Sequence, residues 1–166
     1  MYIRKRLGKY YVEIKRHGHK NIYKTFKQKS DAMKWGRSVE IQLDQSRYKD
    51  TSNASKTTLK SVMERHLKER LRVVREPKKE QSRYNVIIKN DIVKRYLTNL
   101  TPLIFSRYRD ERLDEGLSPS TVCRELSFMS ISIKKAIRFY SCWLPEHPIP
   151  NDIKPKERAP RNRRLE

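Results

Sequence analysis

Alternation with a period of two is the first pattern along the chain. In KYYVEIKR, residues 9–16, Tyr10, Val12 and Ile14 fall on one side and Tyr11, Glu13 and Lys15 on the other, as in a strand with one buried face. Gly8 after YIRKRL and Gly18 in RHGHK supply turns, and NIYKTF follows as a β-leaning run. The pattern predicts a three-stranded antiparallel meander. Three strands need a cover. SDAMKWGRSVEIQLDQ provides one: Ala32, Trp35, Gly36, Val39 and Leu43 recur at helical spacing, with Ser30 expected as N-cap and Asp31 in the first turn. One sheet face is then buried and the other free.

The grammar changes after YKDTSNASKTT, a polar stretch without periodicity that reads as a linker. TTLKSVMERHLKERLRVV carries Leu59, Val62, Met63, Leu67, Leu71 and Val74 on one stripe, with Thr57 or Thr58 as its cap. A second helix is expected from Pro77 through KKEQSRYNVII to a break at Asn90-Asp91. A third opens at Thr101-Pro102 and stops at Gly116. The fourth is capped by Ser118 and opened by Pro119, with Val122, Leu126, Met129, Ile133, Ile137 and Tyr140 on its apolar side. Pro145, Pro148, Pro150 and Pro155 forbid further helix, so the chain is expected to leave in extended form. The fold class expected is α+β: a small three-stranded sheet with one packed helix, then an all-α four-helix domain.

Charge changes what the free sheet face could do. The 166 residues hold 40 Lys+Arg against 19 Asp+Glu, a formal net charge of +21, the balance of a polyanion-binding protein. Nucleic acid is the leading partner. A membrane surface fits less well, because no polybasic cluster flanks an apolar anchor. No run approaches the roughly 18 apolar residues of a spanning helix, and MYIRKRLGKYY has no apolar signal region, so a cytoplasmic location is expected. Cys123 and Cys142 are too far apart for a Cys-x-x-Cys motif, and His17 and His19 lack a third ligand nearby. No metal site and no cofactor is expected.

Two surfaces are candidates for that partner. Arg4, Arg6, Tyr11 and Lys15, with Tyr23 and Thr25, would project from the free sheet face, which is narrow enough for a DNA major groove. They are equally readable as a solvated face that happens to be basic. At the start of the fourth helix, Ser118, Ser120, Thr121 and Arg124 surround the positive end of the helix dipole, a phosphate-binding arrangement. Capping alone accounts for Ser118, but not for Ser120, Thr121 and Arg124 on the side away from the apolar stripe.

GKYYVEIKRHGHKNIYKTFKQKSDAMKWGRSVE resembles the arm-type DNA-binding domain of phage-type tyrosine recombinases (integrases), with its Gly-aromatic strand start, Gly-centred hairpin, Phe before the helix and Ala-x-x-Trp helix face. LTPLIFSRYRDERLDEGLSPSTVCRELSFMSISIKKA is similar to the same family's core-binding, SAM-like helical domain, through its Leu-Thr opening, Arg-Tyr-Arg-Asp-x-Arg run and Ser-x-Ser-Thr-Val-x-Arg-Glu-Leu helix. The resemblance implies an arm-binding domain over residues 1–48, a linker over 49–57, a core-binding domain over 58–145 and a basic connector over 146–166. It implies double-stranded DNA as partner, at phage or mobile-element attachment sites, and a monomer in solution. On the sheet it places DNA contacts at Arg4, Arg6, Tyr11, Glu13 and Lys15. On two helices of the second domain it places them at Lys79, Ser82, Arg83 and Asn85 and at Ser120, Thr121, Arg124 and Lys134. His147-Pro148 stands where the family usually has Asn-Pro.

IKPKERAPRNRRLE resembles the family's connector to a catalytic domain. No Arg-Lys-His-x-x-Arg-His constellation follows it, and the nine tyrosines lie in the DNA-binding half. Phosphotyrosyl transfer needs a Tyr hydroxyl in line with the phosphate and a cationic cluster for the transition state. The chain is therefore expected to bind DNA without cutting or joining it, as a recombinase truncated before catalysis. Two rivals stand beside this reading: a standalone regulator or decoy at attachment sites, and an RNA-binding factor.

Overall fold

The computed structural model describes residues 1–156; residues 157–166, the second part of the expected connector, lie outside the described residues. The fold is α+β, and the chain divides into two compact units, Met1–Lys49 and Asp50–Glu166.

In the first unit, β1 (Tyr2–Arg6), β2 (Lys9–Ile14) and β3 (Ile22–Phe26) form an antiparallel sheet in the order β1-β2-β3. Leu7 and Gly8 both have positive φ, 47° and 72°, as a two-residue hairpin turn of the favoured twist requires. At the other hairpin Gly18 has φ 80°, and the Arg16 carbonyl accepts from the His19 N–H at 3.1 Å. Helix α1 (Lys29–Asp44) buries Ala32, Gly36, Val39 and Leu43. They pack on Val12 and Ile14, with Phe26 and Trp35 meeting at 5.4 Å between ring centroids. The expected cap is corrected: Gln28 is the N-cap residue, and Ser30 lies inside the first turn, its hydroxyl 3.5 Å from the Gln28 side chain.

The second unit opens on a helix where the sequence suggested only linker. Helix α2 (Ser52–Lys56) is five residues long and buries Ala54 completely. Helix α3 (Leu59–Leu71) is capped by Thr58, whose side chain accepts from the Ser61 N–H. Helix α4 (Pro77–Ile87) starts at its proline, and Asn90 caps the 3₁₀ turn Asp91–Lys94 that breaks it. Helix α5 (Pro102–Asp114) stops before Gly116 with φ 83°, and α6 (Pro119–Phe139) is capped by Ser118. Their apolar stripes close on one core that includes Leu59, Met63, Phe105, Leu126, Met129 and Ile133.

The proline-rich stretch does not leave in extended form. Cys142, Leu144, Ile149 and Ile153 are buried in the helical core, and Asn151–Ile153 make a 3₁₀ turn. Prolines forbid the α-helix but not burial. His147 fastens this strap: its Nε2 lies 3.2 Å from the Ser130 carbonyl, while its Nδ1 accepts from the Ile149 N–H. Further on, Arg109 donates to the Ile153 carbonyl, and the Cys123 thiol lies 3.1 Å from that of Pro155. The strap thus returns the chain to the first turns of α6.

His66, 2% exposed, stacks on Phe128 and lies 2.7 Å from the Ser132 hydroxyl. Ser132 gives its own proton to the Phe128 carbonyl, so His66 Nδ1–H is the donor. Burial, reinforced by the Lys135 and Arg70 charges, pushes its pKa down to about 4. The unfolded chain therefore takes up a proton that the folded chain refuses, and stability falls as pH drops from about 6.5 towards 4. Carboxylates with lowered pKa lose their contributions only below about 4.5, so His66 dominates the upper part of this window. Urea unfolding at about pH 7 and pH 5 should differ by about 2 kcal/mol, and His66→Gln, which keeps the hydrogen bond to Ser132, should flatten that dependence.

Candidate nucleic-acid interface

The sheet's pairing register decides which side chains share its free face. Tyr2 stands opposite Glu13 and Arg4 opposite Tyr11; across β2, Tyr11 stands opposite Thr25 and Glu13 opposite Tyr23. Directly opposed residues point to the same side. Arg4, Arg6, Tyr11 and Glu13 therefore line one surface, and Lys15 follows at the end of β2. Tyr2 and Lys9, two residues before Arg4 and Tyr11 in their strands, share this surface, and the register sets them opposite Glu13 and Arg6. On this surface the Arg4 guanidinium sits 5.0 Å over the Tyr11 ring, and Tyr11 and Tyr23 are 5.9 Å apart and tilted by 31°. Glu13 pairs with Lys15 at 3.1 Å. The hydrogen bond from Lys15 holds the carboxyl below its ordinary range against some burial, helped by the Lys15 charge, the Tyr23 hydroxyl and the Arg4 charge. The face is a fixed alternation of cations and phenols around one carboxylate.

In the second unit, two stretches far apart in sequence meet. Ser82, Arg83 and Val86 of α4 and Thr121, Arg124 and Glu125 of α6 line one shallow groove of about 220 Å³. Arg83 is anchored there by Glu80, which also takes Arg70, so the trio carries one net positive charge. Burial would raise the Glu80 pKa, but the bond from Arg70 and the charge of Arg83 outweigh it and hold the carboxyl ionised. Arg124 is exposed and has no acidic partner among the described residues. Lys79 lies on the same side of α4, one turn before Arg83, and is 2.7 Å from Glu76. Asn85 is exposed and accepts from Gln81.

The start of α6 is less generous to an anion than its sequence suggests. Thr121 and Val122 N–H both bond back to Ser118, and the Ser120 and Thr121 hydroxyls cluster with that of Ser118 at 3.2 and 2.9 Å. The hydroxyls and Arg124 remain to meet a ligand. Lys134 is not brought to this groove: ten residues after Arg124 puts it about 15 Å further along the helix. It lines a separate groove with Ile131, Lys135, Arg138 and Phe139.

Beneath the groove sits a buried pair that sequence reading missed. Glu125 is 2% exposed; Arg112 donates to both its oxygens at 3.1 and 3.0 Å, and the Tyr108 hydroxyl donates at 2.7 Å. The bond to Glu125 raises the Arg112 pKa, and burial with the same carboxylate raises that of Tyr108, so the guanidinium stays charged and the phenol neutral. The Arg-Tyr-Arg-Asp-x-Arg run thus serves to clamp α5 to α6, and Arg109 to hold the strap. By contrast, another side of α5 exposes Asp110, Glu111, Asp114 and Glu115, of which Asp110 pairs with Arg109 and Glu115 with Arg112.

His17 and His19 are exposed at a hairpin tip. Among the described residues no group of His, Cys, Asp and Glu is placed to hold a metal ion, and no helix is long and apolar enough to cross a membrane.

Over 139 residues the chain is 31% identical to a Haemophilus influenzae protein described as "Putative integrase/recombinase"; the match covers 84% of this chain and 36% of that protein. The chain thus spans about a third of that relative's length, and the similarity supports a recombinase-related part. No family model matches the chain, and no solved structure does.

Proposed function

We propose that these residues are the DNA-binding portion of a phage-type tyrosine recombinase: the sheet unit reads one duplex site, the SAM-like helical unit grips another, and their role is binding rather than strand cleavage. The observation that carries the reading is the groove shared by α4 and α6. Ser82, Arg83, Thr121 and Arg124 converge there although the sequence offers them on separate helices. A backbone phosphate calls for such hydroxyls and anchored cations. The acidic flank of α5 repels phosphate and so restricts the contact to the other side.

A duplex is favoured over single-stranded nucleic acid by the sheet. Base stacking needs an open aromatic platform, whereas at the centre of the face Tyr11 is covered by Arg4 and tilted against Tyr23, and the exposed Tyr2 and Tyr23 stand apart on the two edge strands. The partner proposed is therefore double-stranded DNA at attachment sites of a mobile element, bound by a monomer in the cytoplasm.

Amide chemical-shift mapping tests the contact faces residue by residue. Titration with duplex DNA should move Ser82 to Val86, Ser120 to Arg124 and the strand residues Arg4, Tyr11 and Glu13, and leave Glu111 to Glu115 in place. Shifts concentrated on α5 would overturn this placement.

A further inference from the structure

Glu13 is an acidic residue in the middle of a surface otherwise built from cations, phenols and hydroxyls. It stands on the central strand, flanked across both neighbours by tyrosines, Tyr2 on β1 and Tyr23 on β3. Its side chain is 21% exposed, with one oxygen 3.1 Å from Lys15 Nζ. The carboxylate is therefore ionised, part-sheltered and held in position. An ionised carboxylate accepts at about four lone-pair sites. Lys15 takes one of these, and Tyr23 stands directly opposite on β3.

Such a group is out of place if the sheet only gathers phosphates, because it repels them and cancels one neighbouring cation. It also repels the acceptors at guanine O6 and N7 and thymine O4 in a major groove. Among base edges it can accept only from an exocyclic amino group. At adenine that amino group has the N7 acceptor beside it, which repels a carboxylate and suits an amide instead. Cytosine N4 offers the donor without that neighbour.

Resting on the reading of this face as a duplex-binding surface, we propose that Glu13 is a specificity-determining residue that requires cytosine at one position of the site, Lys15 holding its carboxylate in place. Arg4, Arg6 and Lys15 supply affinity; Glu13 supplies discrimination, at some cost in general attraction.

The full chain, as wild type, Glu13→Gln and Glu13→Ala, is tested by selection from a randomised duplex library, followed by equilibrium binding to the selected duplex and its single-base variants. Wild type should prefer cytosine at one base pair by about fivefold to a hundredfold. Glu13→Gln should move the preference there towards adenine, which an amide matches. Glu13→Ala should lose it, and both variants should bind unrelated duplex at least as tightly as wild type. A merely structural role for Glu13 would instead weaken binding to all sequences alike. An unchanged preference in both variants, each shown by circular dichroism to be folded, overturns the inference and leaves duplex binding standing. Absence of duplex binding by the wild type overturns both.

Discussion

Replacing Glu125 by alanine should destabilise the helical unit by about 3–5 kcal/mol, the effect of breaking a buried ion pair from one side. The substitution strands Arg112, whose guanidinium directs bonds to both Glu125 oxygens and whose side chain is only 13% exposed. It also leaves the buried Tyr108 hydroxyl without its acceptor. Two desolvated donors then face a cavity, and neither can reach water without moving α5 away from α6. Urea unfolding of the full chain measures the loss. Arg112→Met with Glu125→Leu and Tyr108→Phe, which removes both charges and the hydroxyl that would be stranded, should be far milder, because a buried pair replaced by apolar groups of similar size is often neutral. An Ala variant within 1 kcal/mol of wild type would mean that the clamp does not form in solution.

Arg124→Ala should weaken duplex binding tenfold or more, the worth of about 1.5 kcal/mol for one charge-assisted contact, and lower the slope of log affinity on log salt by about one. Arg124 is singled out by its surroundings: in its groove, Arg83 is already committed to Glu80, whereas Arg124 has no acidic partner among the described residues. Lys79→Ala should cost less, because Glu76 already neutralises much of that charge. The order Arg124 before Lys79 is the specific expectation, read by fluorescence anisotropy at several salt concentrations. Equal losses would move the contact away from the start of α6.

Much of this architecture was legible in the chain because its signals are local. The alternation through Tyr10, Val12 and Ile14 marked the buried sheet face, and Pro77, Pro102 and Pro119 marked three helix starts. Helix α2 was not legible: five residues carry no period, and its burial rests on the small side chain of Ala54. The strap was misread for a related reason. Prolines announce that helix ends, but Leu144, Ile149 and Ile153 are spaced irregularly, and only the preformed core gives them a place to go. Ser30 satisfied the composition of a cap without its backbone position.

The candidate interface divides in the same way. Ser120, Thr121 and Arg124 stood out as polar positions opposite an apolar stripe, a property of one helix. Their meeting with Ser82 and Arg83 depends on how α4 packs beside α6, which no pattern within either helix encodes. Glu125 was invisible because a carboxylate inside an amphipathic helix reads as solvated until its partners on α5 are known. On the sheet, alternation assigns each strand's residues to a face, but which of them stand opposite one another, as Tyr2 does Glu13, depends on the register.

The most direct test of the account is equilibrium binding of the unaltered chain to duplex DNA and to RNA of matching sequence, each across a range of salt. Duplex should be bound more tightly throughout. Its affinity should fall about a thousandfold between roughly 50 and 200 mM salt, as six or so phosphate contacts require. RNA bound as tightly as duplex, or duplex affinity indifferent to salt, would contradict it.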